Sequence, residues 1–305
     1  MKTLFTLIIS LLMFVGCSKP SGEEQTTPTP APSRPEFKKY ADEDEIKIMS
    51  FNIRNASTET DPANNWDNRK EACIELIKDH KPTLIGLQEP RFTTQWLYFK
   101  EQLKDSYSAY GVSRLSGDET GNGECMGILY DKSLIKLVEA GTFWLSKTPD
   151  KPSKSWDSAY ERSATWGIFK HIPSGKHLYY INTHLDNEGN EARIEGMKLI
   201  SKYLEKYKDV YPLFLTGDFN VDSGNDAIDP IRSYMWNARI VAPPSLSDYD
   251  TTYNGFKENP KVKIIDHIYC SKTNKVVEYH TIDEKYGGVN FISDHYPIYA
   301  IIKIK

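Results

Sequence analysis

Asp218 and Asn220 stand two residues apart at the close of an apolar run, Leu-Thr-Gly-Asp-Phe-Asn at 215–220. A carboxylate able to take a proton from water, beside an amide able to donate to a phosphoryl oxygen, is the pair that hydrolysis of a phosphate ester needs. Five other apolar runs end on polar residues in the same manner: Ile-Met-Ser-Phe-Asn at 48–52, Leu-Ile-Gly-Leu-Gln-Glu at 84–89, Tyr-Ile-Asn-Thr-His-Leu-Asp at 180–186, Ile-Ile-Asp-His-Ile-Tyr at 264–269 and Ile-Ser-Asp-His-Tyr-Pro at 292–297. A set of strands that each deliver one carboxylate, amide or imidazole to one edge is a way to build a metal-assisted phosphate-cleaving site. A calcium loop is the competing reading of Asp218-x-Asn220-x-Asp222. It fails because Ser223 replaces the required glycine, Asp229 replaces the closing glutamate, and a strand rather than a helix precedes it.

His184 ends its own strand, and Glu124 is a carboxylate that could orient the ring and raise its pKa. Adjacent strand residues point to opposite faces, so in Asp266-His267 the aspartate enters a common site and the histidine points away. In Ser-Asp294-His295-Tyr-Pro a turn allows both side chains to face inward. Glu89 ends a buried strand, and with Asn52 it fits the small oxygen-ligand sets of hard divalent cations, which take water and substrate phosphate for the rest.

Alternating or continuous apolar runs predict strands over 46–51, 83–87, 107–112, 125–130, 134–143, 164–171, 177–182 and 213–216, with three more near the end. Helical spacing marks 64–78, 92–103, 188–207 and a short stretch over 227–236. Strands mixed with helices without strict alternation predict two sheets stacked face to face with helices outside. The stretch 148–163 lacks periodicity and reads as a loop at the rim of a site; Lys147, Lys151, Lys154 and Arg162 lie in and around it, with Trp144, Trp156, Tyr160 and Trp166 interleaved.

The 305 residues are 39% hydrophobic and carry a net charge of −4, enough apolar material for a large core and no global field for capturing long nucleic acid. Lys2 and the apolar run 4–15 read as a leader too short to span a membrane comfortably. It ends Phe-Val-Gly-Cys17, which resembles a bacterial lipobox. Cleavage would remove residues 1–16 and place lipid on Cys17, with 17–40 a Pro/Thr/Ser-rich tether and 41–305 the folded domain. An ordinary secretory leader is the plainer alternative. The expected location is the bacterial cell envelope, lipid-anchored and extracytoplasmic. Cys73, Cys125 and Cys270 are odd in number and match no metal spacing, so buried free thiols are expected.

Taken in order, Phe-Asn at 51–52, Leu-Gln-Glu at 87–89, Thr-His-Leu at 183–185, Gly-Asp-Phe-Asn at 217–220, Ile-Asp-His-Ile at 265–268 and Ser-Asp-His at 293–295 closely resemble the endonuclease/exonuclease/phosphatase superfamily, the DNase I-like enzymes. The resemblance implies a four-layer α/β sandwich and a hydrolase of phosphate esters that uses Mg2+, with Mn2+ or Ca2+ as alternatives. It implies that Asn52 and Glu89 hold the metal with Asp294 as a second acid, that His184 contacts the scissile phosphate and is oriented by Glu124, and that Asp218 orients or deprotonates the attacking water. Asn220 would stabilise the pentacovalent phosphorus, and Asp266 would pair with His295. Arg162 is similar to a substrate-side residue of the deadenylase-like branch; a surface ion pair is its plainer role. Nucleic acid, sugar phosphate and phospholipid headgroup all remain open as substrates. A surface lipoprotein that binds without catalysis would need at least one of these positions lost, and none is.

Overall fold

The computed structural model describes residues 43–305 apart from 58, 122 and 245–250; the leader, Cys17 and the tether lie outside the described residues. Two six-stranded sheets form its centre. The first runs in the order β11 (Lys275–Thr281), β12 (Ile298–Lys303), β1 (Glu45–Asn52), β2 (Leu84–Gln88), β4 (Gly127–Asp131) and β3 (Tyr107–Tyr110). The second runs β5 (Ile135–Trp144), β6 (Ser163–His171), β7 (His177–His184), β8 (Leu213–Asp218), β10 (Asp266–Ser271) and β9 (Met235–Asn237). Both sheets share one pattern of directions: a central parallel pair flanked by antiparallel strands. Parallel neighbours need a crossover. Helix α1 (Trp66–His80) supplies it between β1 and β2, and α3 (Asn190–Glu205) supplies it between β7 and β8.

Alternation along the strands explains the layering. Met49 and Phe51 of β1 pack with Leu76 and Ile77 of α1 and Phe99 of α2 (Leu97–Leu103). Ile46 and Ile48 face the other way, onto Phe169, Leu178, Tyr180 and Phe214 of the second sheet. Tyr179 and Ile181 then meet Met197, Ile200 and Leu204 of α3. Three apolar layers thus separate four layers of regular structure, the expected sandwich.

The inter-sheet layer changes character toward one end. Along its inward positions Ile48 gives way to Ser50 and Asn52, Leu84 to Gly86 and Gln88, Tyr180 to Asn182 and His184, and Phe214 to Thr216 and Asp218. Beneath the site these groups satisfy one another. Gln88 Nε2 donates to Asn182 Oδ1 at 2.7 Å and Thr216 Oγ1 donates to it at 3.1 Å, while Asn182 Nδ2 reaches the carbonyls of Leu87 (2.9 Å) and Gly127 (3.1 Å). Gly86 leaves the space for this network, since a methyl there would collide with Asn182, Thr216 and Tyr180. Gly86→Ala is expected to destabilise the fold by about 3 kcal/mol, through overpacking and broken buried hydrogen bonds. Urea unfolding checks this, and a loss under 1 kcal/mol would show that the network yields.

Some expectations are adjusted. Cys125 precedes β4 and makes only an isolated bridge to Ser113. The segment 92–103 begins as a π-helical turn, Phe92–Trp96, before α2. The stretch 227–236 is a 3-10 turn (Asp226–Ile228) and α4 (Asp229–Arg232), after which Trp236 joins strand β9 and α5 (Ala238–Val241) follows. Pairing with β10 overrides helical spacing there, because Cys270 takes Trp236 as its strand partner. All three thiols are free and buried. No helix among the described residues is long and apolar enough to cross a membrane.

Candidate active site

Strand register sets the level at which the groups meet. His184 of β7 pairs with Asp218 of β8, and Asp218 pairs in turn with Asp266 of β10. From the opposite sheet β1 ends on Asn52, and β2 ends just before Glu89. Glu89 (φ 70°), Asn220 (φ 54°) and Arg54 (φ 59°) all occupy the left-handed region, and only asparagine tolerates it well. For the other two the strain costs on the order of 1 kcal/mol each, held by the surrounding structure.

Asp218 is the meeting point. Its Oδ2 accepts from Asn52 Nδ2 at 3.0 Å and lies 3.4 Å from His184 Nε2 and 3.6 Å from His295 Nε2; its Oδ1 accepts from the Asn220 backbone N–H at 2.9 Å. Burial and the charges of Asp266 and Glu89 raise its carboxyl to about 7, against the pull of His295 and the Asn220 N–H. That value suits a group that must hold and release a proton near neutrality. His295 donates from Nδ1 to Asp266 Oδ2 at 2.8 Å, the pairing anticipated from sequence. Burial opposes its charge, but Asp266 and Asp218 prevail and raise the imidazole to about 10, so it stands as an imidazolium.

Glu89 lies beside Asn52, whose Nδ2 donates to Oε1 at 3.0 Å, and its Oε2 accepts the Asn55 backbone N–H at 2.7 Å. Burial works against its charge, yet these hydrogen bonds and His295 hold the carboxyl below its ordinary range. Ligand atoms of Glu89, His184 and Asp218 lie within 4.8 Å of one another, as do those of Asp218, Asp266 and His295. Three buried carboxylates (Asp218, Asp266, Asp294) and the half-buried Glu89 face the charged His295 and Arg54, an excess of negative oxygen that fits a divalent cation. Asp294 takes Arg54 Nη1 on its Oδ2 at 3.1 Å, so its first partner is a guanidinium. The Asn52 amide turns its nitrogen to the two acids, while its oxygen accepts the Arg54 N–H at 3.0 Å.

Two expectations about His184 change. Glu124 does not reach it: Oε1 of Glu124 accepts from Asn55 Nδ2 at 2.8 Å, and Oε2 lies 2.6 Å from Arg114 Nη1. The histidine instead faces Asn220 Nδ2 at 3.1 Å through Nε2, and its buried Nδ1 has no hydrogen-bond partner among the described residues. Its pKa falls rather than rises, well below the ordinary value, through burial and the neighbouring Arg162, Arg114 and His295. His184 is therefore a neutral imidazole. His267 behaves as expected: it points away, with Nε2 on the Val221 carbonyl at 2.9 Å.

Glu89, His184, Asp218, Asn220, Asp294 and His295 line a pocket of about 440 Å3 that also takes in Arg54, Arg91, Arg114, Arg162 and Lys263 with Tyr160 and Tyr253. Lys147, Lys151 and Lys154 do not line it. Of the expected rim loop, Tyr160 and Arg162 enter the pocket, and Asp186 is what draws them there. Its carboxylate accepts from Arg162 Nε (3.2 Å), Ser158 Oγ (3.1 Å) and the backbone N–H groups of Ala159, Tyr160, Glu188 and Gly189. Asp186 was readable only as the tail of Thr-His-Leu-Asp, two residues beyond His184. Arg54, Asn55 and Arg114 sit on irregular segments that carry no periodic signal.

A sequence model of the Endonuclease/Exonuclease/phosphatase family matches residues 49–295, a span that contains every residue assigned above from Asn52 to His295. The chain belongs to that family. Among solved structures it is similar to an endonuclease/exonuclease/phosphatase family protein from Bacteroides thetaiotaomicron, at 30% identity and TM-score 0.78, over 85% of this chain and 97% of that one. It is also similar to a mannosyl-6-phosphatase from Bacteroides thetaiotaomicron VPI-5482, at 30% identity and TM-score 0.77, over 84% of this chain and 99% of that one. A protein of Acanthamoeba polyphaga mimivirus, uncharacterized protein L388, is 25% identical over 284 residues, 85% of this chain and all of its own length. Family members hydrolyse phosphoesters.

Proposed function

We propose that the chain is a divalent-metal-dependent phosphatase of small phosphate monoesters, held outside the cytoplasm by lipid on Cys17. The observation that carries the catalytic reading is Asp218, set between the Asn52–Glu89 pair at the ends of β1 and β2 and the His295–Asp266 pair, in which Asp266 opens β10 and His295 precedes β12. Glu89 would hold the ion with Asn52 beside it, and Mg2+ is the cation whose oxygen preference suits them. Bound there, the ion would neutralise phosphoryl charge and so favour attack at phosphorus.

The chain's own residues account for the remaining tasks. Asp218 orients water and takes its proton as the water oxygen bonds to phosphorus. The bond from phosphorus to the leaving oxygen breaks, and that oxygen takes a proton from solvent. His295, kept charged by Asp266, donates from Nε2 to a phosphoryl oxygen, and Asn220 offers Nδ2 to another. The mannosyl-6-phosphatase among the similar structures favours a monoester, as does a bounded pocket whose volume suits one small ligand.

Phosphate release from sugar phosphates, alkyl phosphates, phosphodiesters and nucleic acid is expected to favour monoesters, to fall at least about a hundredfold on chelation and to return with Mg2+. Turnover unchanged by a chelator would sink the metal reading. Cys17→Ala is expected to move the chain from the membrane fraction to the soluble fraction; continued membrane association would remove the anchor.

A further inference from the structure

We propose that the pocket wall made by Asn55, Arg114, Glu124 and Tyr160 is a polyol subsite, which grips the hydroxyl-bearing leaving group of a sugar monophosphate beside the reaction centre. This rests on the hydrolase reading and names its substrate class.

Glu124 is released from His184 and turned into the pocket wall, where Asn55 and Arg114 divide its two oxygens. Arg114 is 8% exposed, lines the pocket, and keeps a buried Nε with no hydrogen-bond partner among the described residues. The wall is rigid. The Arg114 N–H donates to the Glu124 carbonyl at 2.8 Å, and the Cys125 N–H donates to the Pro90 carbonyl at 2.9 Å. Asn55 ties the wall to the reaction centre, because its backbone N–H serves Glu89 while its side chain serves Glu124.

Charge selects the ligand. At this wall Arg114 and Glu124 cancel, while Arg162 is paired with Asp186 and Arg54 with Asp294; of the other two pocket cations, Arg91 donates to Ser57 Oγ at 3.0 Å and Lys263 lies over the Tyr253 ring at 4.6 Å. A second phosphate arriving at this wall would meet the Glu124 carboxylate with the nearest cation already engaged. A neutral diol fits better, since one hydroxyl donates to the carboxylate while its neighbour accepts from the guanidinium, and no net charge is buried. Tyr160, 49% exposed, lies under the guanidinium groups of Arg114 (5.7 Å) and Arg162 (5.4 Å) and brings to the pocket an aromatic edge that the apolar side of a sugar ring can meet.

Hexose 6-phosphates (glucose, galactose and mannose) compared with butyl phosphate test this on the full chain with Mg2+. Both classes leave as primary alcohols, so differences report the subsite. The unaltered chain is expected to prefer at least one hexose phosphate by about tenfold or more in kcat/KM. Glu124→Gln and the surface change Tyr160→Ala should each lower that hexose value roughly thirtyfold, through KM, and move butyl phosphate less than about threefold.

Turnover of butyl phosphate without a hexose preference would overturn the subsite alone. Equal loss on both esters in Glu124→Gln would place Glu124 in the reaction centre and overturn it too. So would a higher kcat/KM for fructose 1,6-bisphosphate than for any hexose monophosphate. Hydrolysis of neither ester by the unaltered chain would bring down the hydrolase reading and the subsite with it.

Discussion

Asp218→Asn is expected to lower kcat on the best monoester by about a thousandfold or more, because general-base catalysis alone supplies two to four orders of magnitude. The substitution keeps size and shape. An amide oxygen in place of Oδ1 can still accept the Asn220 N–H. What disappears is the carboxyl that lies between the two imidazoles and that burial raises to about 7, near the working pH; His184 binds a proton too weakly for the task and His295 too strongly. Phosphate release at saturating substrate, with a melting curve beside it, checks the result. A folded variant that retains a tenth of the wild-type kcat would remove Asp218 from the role of base.

Asp266→Asn should cost roughly a thousandfold in kcat as well, by a different route. Asp266 Oδ2 accepts the Nδ1 proton of His295 at 2.8 Å and heads the charges that keep the imidazole protonated against its burial. The amide can preserve the hydrogen bond but not the charge. His295 then becomes neutral at working pH and loses its Nε2 proton, the one aimed at the phosphoryl oxygen. Because the lost interaction grows as charge develops on phosphorus, kcat should fall far more than KM rises. An equal change in both would mean that His295 only binds.

The strands were legible because one or both faces are buried and their alternation is written in the residues; the inward series Ile48, Ser50, Asn52 is readable by eye. The ends of those strands named most of the site for the same reason. What no local pattern holds is the partner across a gap. Sequence offers Glu124 as a partner for His184, but its actual neighbour, Arg114, is chosen by a backbone hydrogen bond between two irregular segments. The lysines at 147, 151 and 154 marked the loop correctly as basic, but Asp186 pulls in only its far end. Trp236 shows the other failure, in which a strand partner thirty-four residues away outweighs local spacing.

The place of β12 in the first sheet bears on how the molecule can be made. β1, the first strand among the described residues, lies between β2 and β12, the last of them, and β11 is attached only through β12. Until residues near 303 have emerged, Glu45–Asn52 exposes an unpaired edge, and Asn52 waits at its end for Asp294 and His295 to arrive. A chain that stops before Asp294 therefore lacks His295, the partner of Asp266, and one that stops before Ile298 leaves β1 without β12 beside it.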